Sequence, residues 1–214
     1  MLLYSFANIS FAKEYKCDYT DKELNTNLYR LLKNKKVDNK HATGVICITK
    51  DEGQMRFNLE NGKLSSPIEI IKYNNEKKTI AKVYASDYNT YFKYNTTNDN
   101  PLQNKQALKE IINNIDFTQI LFDPENTNNK MLEIVIKDKK GTATFYYEDN
   151  ITNYVIPITE NGYSNKSKYY DENGNFVADI TTENGYITEI KCAGGKIIKP
   201  DNMHNISHIQ YLCK

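Results

Sequence analysis

Two stretches of the chain, YYEDNITNYVIPITENGY at residues 146–163 and YYDENGNFVADITTENGY at residues 169–186, align without a gap, so that Tyr146 matches Tyr169 and Tyr163 matches Tyr186. Each begins with a Tyr-Tyr pair followed by an acidic residue and ends in Thr-Glu-Asn-Gly-Tyr. Tyrosine and β-branched residues are typical of strands, and Asn-Gly is typical of a tight hairpin turn. Each unit is therefore predicted to be a two-stranded hairpin. Because one hairpin is only marginally stable alone, the units must stack on their neighbours.

A third unit would begin near Cys192-Ala193-Gly194-Gly195-Lys196, where the sequence no longer matches and an atypical end of the array is expected. Over roughly residues 141–199, the pattern resembles the degenerate MORN-type repeats of bacterial proteins, including those labelled YwqK-like antitoxins. The Trp-bearing, Gly-rich positions of ordinary MORN units are absent, since the chain has no Trp. The resemblance implies a ladder of β-hairpins that serves as a binding or scaffolding surface.

The chain is rich in tyrosine, with 17 Tyr beside 8 Phe. Tyrosine is common both on half-buried strand surfaces and at binding faces. Strand surface is the simpler explanation of this composition. If the sheet also binds a partner, the tyrosines of the two repeat units are the predicted contact residues, namely Tyr146, Tyr147, Tyr163, Tyr169, Tyr170 and Tyr186.

The chain before the repeats has the pattern of helices alternating with a strand meander. Thr20 and Glu23 form a capping box before a predicted helix over roughly 21–35. Asn100 and Pro101 mark the start of a second amphipathic helix that continues to about Ile115. Strands are predicted in the remaining alternating or β-branched segments, near 45–50, 55–59, 68–73, 79–86, 89–94, 131–137, 142–147 and 152–158. The predicted fold class is α+β, mainly antiparallel β.

A polar stretch at residues 123–129, DPENTNN, is the predicted boundary if the chain has two units. The units would then be residues 13–122, a helix, a meander and a second helix, and residues 130–214, the hairpin repeats. A single sheet that continues through both parts is the alternative.

Residues 1–12 are nearly uncharged and end in Ser10-Phe11-Ala12, which resembles the end of a secretory signal peptide without its basic leading region. A first β-strand is the alternative. The stretch is too short for a membrane-spanning helix, which needs about 20 apolar residues. With 28 basic and 27 acidic residues and a net charge of +1, the chain has no strong electrostatic signature of nucleic-acid binding.

The four cysteines, Cys17, Cys47, Cys192 and Cys213, lack the paired spacing of a zinc site. In an exported protein they would form two disulfides, and pairing of sequence neighbours, Cys17 with Cys47 and Cys192 with Cys213, is expected. In a cytosolic protein they would be buried thiols.

His204 and His208, spaced four residues apart, would share a helix face, and Cys213 lies close enough in sequence to be a third metal ligand. The tail could equally be a strand, with Ile209, Tyr211 and Cys213 on one face. His41 has no evident partner. A structural or surface role is the simpler explanation, so no metal site, cofactor or catalytic residue is predicted.

Three functional hypotheses remain, in this order. The first is a non-enzymatic secreted or envelope protein that binds a protein or envelope component through its tyrosine-rich sheet. The second is a cytosolic, antitoxin-like partner-binding protein. The third is a hydrolase or metal-dependent enzyme that uses the carboxy-terminal His/Cys cluster.

Overall fold

The computed structural model describes residues 17–20, 36, 37, 40, 41, 43–50, 52–61, 63–65, 67–87, 105–201, 203 and 206–214. The predicted signal segment, the helix at 21–35, the strand at 89–94, the cap of the second helix and His204 lie outside these residues. Within them, no helix is long and apolar enough to cross a membrane.

The described residues form one long antiparallel meander with 15 strands and a separate two-stranded ribbon. The predicted fold class, α+β and mainly antiparallel β, is therefore confirmed. The strands are β1 (Tyr19–Thr20), β2 (Lys36–Val37), β3 (Lys40–His41), β4 (Gly44–Lys50), β5 (Gly53–Glu60), β6 (Lys63–Leu64), β7 (Ile68–Tyr73), β8 (Thr79–Ala85), β9 (Phe117–Phe122), β10 (Lys130–Lys137), β11 (Lys140–Tyr146), β12 (Thr152–Thr159), β13 (Gly162–Tyr163), β14 (Lys166–Tyr170), β15 (Phe176–Glu183), β16 (Tyr186–Cys192) and β17 (Ile197–Ile198).

The strands of the large sheet run in the order β1-β4-β5-β7-β8-β9-β10-β11-β12-β14-β15-β16-β17, with β6 on β5 and β13 on β12. Among the strand pairs of the described residues, only β1–β4 is parallel. Residues 123–129 form the loop of the β9–β10 hairpin. Its strands pair from Phe122 opposite Lys130, next to the loop, to Phe117 opposite Ile136. The sheet is therefore continuous across the segment that the sequence marks as polar.

Two short elements cover one face of this sheet. Helix α1 (Lys105–Asn114) packs Leu108, Ile111 and Ile112 against the buried residues Ile134 and Ile158. At the carboxyl end, a 3-10 turn (Ile206–His208) and helix α2 (Ile209–Leu212) pack over β15 and β16. The predicted second helix is confirmed as α1, whereas the strand alternative for the tail is wrong.

The face that α1 and α2 cover carries Ile134, Ile158, Ile180 and Ile190, and we call it the covered face. Since side chains alternate along each strand, the residues between these point to the opposite side. We call this opposite side of β10–β12 and β14–β16 the open face. Among the described elements, no helix or strand is packed on the open face.

Five-residue loops recur along the meander, at residues 74–78, 147–151, 171–175 and 192–196, and the loop at 147–151 differs from the others because its third residue, Asp149, also has a positive φ of 58°. In each, the N–H of the first residue donates to the carbonyl of the last, at 2.8–2.9 Å. The fourth residue has a positive φ, which is 61° at Lys77 and Asn150, 78° at Gly174 and 86° at Gly195. This geometry is typical of hairpin loops that end in a G1-type bulge. Residues 192–196, where the repeat motif is lost, thus keep the loop that joins its hairpins.

The structural period of the repeat is one residue longer than the period of the sequence motif. The motif matches Tyr147 with Tyr170, whereas the loop that begins at Tyr147 is equivalent to the loop that begins at Asp171. The end pairs Thr159–Gly162 and Glu183–Tyr186 are offset in the same way. The structural equivalent of Tyr146 is therefore Tyr170, and that of Tyr169 is Phe145. Because a one-residue shift in a strand moves a side chain to the opposite face, matching letters of the motif lie on different faces.

Candidate binding surface

The six predicted contact tyrosines are divided between the two faces of the sheet. Three of them lie on the open face: Tyr146, Tyr170 and Tyr186. In the strand pairings, each lies opposite or next to an open-face residue of β12, β15 or β16. Tyr163 and Tyr169 lie on the covered face, opposite Ile158 and Tyr154. The hydroxyl of Tyr147 donates to the hydroxyl of Tyr169 at 3.0 Å, so the Tyr147 side chain is directed toward the covered face. The sequence motif therefore does not define one surface.

The exposure of these tyrosines differs as much as their orientation. Tyr169 is only 4% exposed and packs in the core under α2, whereas Tyr163 and Tyr186 are 43% and 39% exposed. The Tyr170 carbonyl lies 3.1 Å from the Tyr147 hydroxyl, so it shares the single O–H of Tyr147 with the Tyr169 hydroxyl. Burial and the hydrogen bond to Tyr169 hold the pKa of Tyr147 above its ordinary value. Tyr147 and Tyr169 thus have the environment of structural residues.

On the open face, the first of two equivalent aromatic positions is held by Tyr146 at the end of β11. Its hydroxyl donates to Glu133 Oε2 at 2.6 Å, and Lys130 Nζ lies 3.0 Å from Glu133 Oε1. The same ammonium is 5.4 Å from the centroid of the Tyr146 ring. Burial and the Glu133 carboxylate raise the pKa of Tyr146. Three side chains from β10 and β11 are therefore fixed in one polar cluster.

The second position, its equivalent in the next hairpin, is held by Tyr170 and Phe176 on β14 and β15. Their rings meet edge to face at 5.9 Å, and Lys168 Nζ lies 5.8 Å from the centroid of the Phe176 ring. Phe176 is 39% exposed. Two intervening strand spacings of about 4.8 Å place this aromatic position on the order of 10 Å from Tyr146. The open face thus carries two aromatic positions, each beside a lysine.

Next to these rings, the open face is concave over β12 and β14–β16. The concavity has a volume of about 480 Å³, and its charged lining residues are Lys166, Lys168, Asp179, Glu189 and Lys191. Lys168, Asp179 and Lys191 lie directly opposite one another on three adjacent strands. All three are exposed. The arrangement suits polar and ionic contacts with a macromolecule, since charges of both signs alternate across the strands.

The predicted contact residues of the tyrosine motif do not include six further residues of the open face, namely Lys130, Glu133, Lys168, Phe176, Asp179 and Lys191. The signal that could have identified several of them is alternation within single strands. Lys166 and Lys168 flank the buried Ser167, while Asp179 and Thr181 flank the buried Ile180. Such alternation is typical of a sheet with one face packed and one face in water.

A second, smaller concavity of about 200 Å³ lies over β4, β5, β7 and β8, and Arg56, Asn58, Glu69 and Tyr84 line it. The Tyr84 hydroxyl donates to Glu69 Oε1 at 3.1 Å, and Arg56 Nε donates to Gln54 Oε1. These contacts fix the polar groups of the concavity within the sheet.

Both sequence-local disulfides are present, Cys17–Cys47 with Cα atoms 5.7 Å apart and Cys192–Cys213 with Cα atoms 5.4 Å apart. The predicted pairing is therefore confirmed. Cys213 is consequently a disulfide partner in this structure and does not join His208, which is exposed, as a metal ligand. Within the described part of the chain, no three His, Cys, Asp or Glu side chains are grouped so that they could hold a metal ion.

No family model matches the chain, and no curated protein matches it. Among solved structures, the chain is similar to the crystal structure of TarM, with 17% identity and a TM-score of 0.24. The match covers 87% of this chain and 24% of the TarM chain, so this chain spans about a quarter of TarM. A similarity with this TM-score shows neither a common fold nor a common activity.

Proposed function

We propose that the protein is a non-enzymatic bacterial binding protein, secreted or located in the cell envelope, whose open face contacts a partner. The observation that carries the proposal is the difference between the two faces of the same strands. The covered face is filled by Ile134, Ile158, Ile180 and Ile190 under two helices. The open face instead presents exposed lysines, carboxylates and the half-exposed ring of Phe176.

The two disulfides support the proposed location, because structural disulfides form and persist in oxidising compartments. All four cysteines are paired, so none is a free thiol. Rapid thiol trapping of the protein from its native host tests this point. We expect that no cysteine reacts before reduction, and four reactive cysteines would contradict export.

The binding surface is tested by site-specific photo-cross-linking in the native host. A benzoylphenylalanine replaces Phe176 on the open face or, as the matched control, Phe145 on the covered face. The two rings are equally exposed, at 39% and 37%, so exposure alone predicts equal labelling. We expect a discrete cross-linked product from position 176 and none from position 145. Equal products from both positions, or a product from position 145 alone, would show that the open face is not the contact surface.

A further inference from the structure

The last nine residues, 206–214, form a strap across the covered face of β15 and β16. Ile209 at the centre of the strap is 0% exposed and packs with Ala178, Ile180 and Ile190. Ile206 and Leu212 on either side are only partly buried against the same cluster. The strap thus shields an apolar strip of the sheet from water, and Ile209 is the fully buried residue among its described side chains.

The strap has little that would hold it in place by itself. Its regular structure is a three-residue 3-10 turn and a four-residue helix, and helices this short are not stable in isolation. Lys196 Nζ donates to the carbonyl of Leu212 at 2.9 Å, and this bond is exposed. Besides the packing of Ile209, Ile206 and Leu212, the strap is held among the described residues by a covalent bond, since Cys213 is bonded to the buried Cys192 of β16.

The strands beneath the strap are held together by hydrogen bonds that do not involve the strap. β15 pairs on one side with β14 from Lys166 to Tyr170 and on the other side with β16 from Tyr186 to Cys192. None of these ladder bonds involves the strap. The second disulfide, Cys17–Cys47, lies at the opposite end of the sheet, beside β4. Loss of the Cys192–Cys213 bond therefore affects the strap before it affects the strands.

We propose that the strap is a redox-released cover, which a dithiol reductant opens by reducing Cys192–Cys213. A thiolate of the reductant attacks the sulfur of Cys213, which is half-buried, while Cys192 is only 3% exposed. The S–S bond breaks and Cys192 leaves as a thiolate, which takes up a proton. The second thiol of the reductant then displaces Cys213, so that the reductant ends as a disulfide and both cysteines as thiols.

Release of the strap turns a closed face into an accessible apolar one. Ile180, Ile190 and Ala178, which are at most 1% exposed in the closed form, become accessible to water or to another molecule. The open face is on the other side of the same strands and is unchanged. The switch is therefore independent of the partner contact proposed above.

Hydrogen–deuterium exchange on the full chain tests the switch, with a Cys192→Ser/Cys213→Ser variant standing for the reduced form. The diagnostic amides are those of Cys213, which donates to Ile209, and of Ile187, which donates to Met203. For a link that spans 21 residues, loop closure corresponds to a roughly 300-fold change in protection of the segment that it holds. We expect a loss of that order at Cys213 and a smaller loss at Ile187. Protection in β14 and β15 should stay unchanged, and binding of a hydrophobic dye should increase.

Two results would overturn the proposal. If protection of the strap falls less than threefold, packing alone holds it. If protection is lost equally throughout the sheet, the disulfide stabilises the whole fold and releases no separate element. Should the double variant fail to fold, stepwise reduction of the wild-type chain with dithiothreitol gives the same readout at the stage where mass mapping shows Cys192–Cys213 reduced and Cys17–Cys47 intact, and unfolding of the whole sheet at that stage is the overturning result.

Discussion

The sharpest test of the recurring loop is a pair of identical substitutions at neighbouring residues, Gly194→Ala and Gly195→Ala. Both glycines are exposed, and a Cβ on either would meet no atom within 4 Å. They differ in backbone conformation, because only Gly195 has a positive φ, at 86°. Steric crowding therefore contributes nothing to the comparison, and the left-handed position of the loop is isolated.

The expected magnitudes follow from two opposing effects. Replacing Gly by Ala restricts the unfolded chain and stabilises the fold by about 0.4–1 kcal/mol where the backbone is compatible. A left-handed conformation costs an L-residue about 1–2 kcal/mol. Gly194→Ala should consequently be neutral or slightly stabilising. Gly195→Ala should be less stable than Gly194→Ala by about 1–2 kcal/mol, the cost of the left-handed conformation.

Urea denaturation of the oxidised protein, followed by far-ultraviolet circular dichroism, measures both variants. The slope of the free energy of unfolding against urea concentration should be the same in both, since neither change alters the surface that unfolding exposes. If the two variants agree within about 0.3 kcal/mol, well under the strain estimate, the loop has no left-handed requirement at its fourth residue. The assignment of a G1-type bulge to the loop at 192–196 would then be wrong.

Three further outcomes follow from the packing and the titration of single residues. Ile180→Ala removes a side chain that is 1% exposed under the strap and should lower the free energy of unfolding by about 2–5 kcal/mol, whereas Thr181→Ala on the open face should stay within about 0.5 kcal/mol in the same urea experiment. Burial and Glu133 raise the pKa of Tyr146, so its contribution to stability is present below the unfolded pKa near 10 and is lost as pH rises through the folded pKa. Tyr146→Phe should therefore lose less stability than the wild type in strong base, and an ultraviolet titration should show one fewer late-titrating phenol. Hydrogen bonds from the amide N–H and side chain of Asn175 lower the pKa of Asp171, so its contribution is present above the unfolded pKa near 4 and is lost as pH falls through the folded pKa. The stability difference between wild type and Asp171→Ala should consequently narrow in acid, and a difference that is constant with pH would contradict the role of the carboxylate.

The strands were predictable because their signals are local. Alternation and turn residues placed β7 at Ile68–Tyr73, as the structure has it, and β12 within one residue of its observed end. The stripe of Leu108, Ile111, Ile112 and Ile115 likewise identified α1. In each case the chemistry that forms the element lies within the element itself.

The faces of the tyrosines were not predictable from the motif, because its period and the structural period differ by one residue. In the second unit, Asn184 and Gly185 both have positive φ, at 52° and 83°, and form the two-residue turn. In the first unit, the turn residues are Glu160 and Asn161, and Gly162 already pairs with Thr159. The same five letters, Thr-Glu-Asn-Gly-Tyr, thus enter the turn at different positions. A sequence alignment that matches identical residues does not show this one-residue shift.

The open face could not be found from the repeats for a related reason: it depends on which side of the strands the other elements cover. Alternation in β14–β16 shows that two faces exist and that one carries Ile180 and Ile190. The exposure of Lys168 and Asp179 follows only because α2 and α1 pack on the same side of the sheet. A helix on the other side would have buried the charged side chains of Lys168, Asp179 and Lys191 at a large desolvation cost. The charged residues of β14–β16 thus oppose burial of this side, and they are also the groups available for contact with a partner.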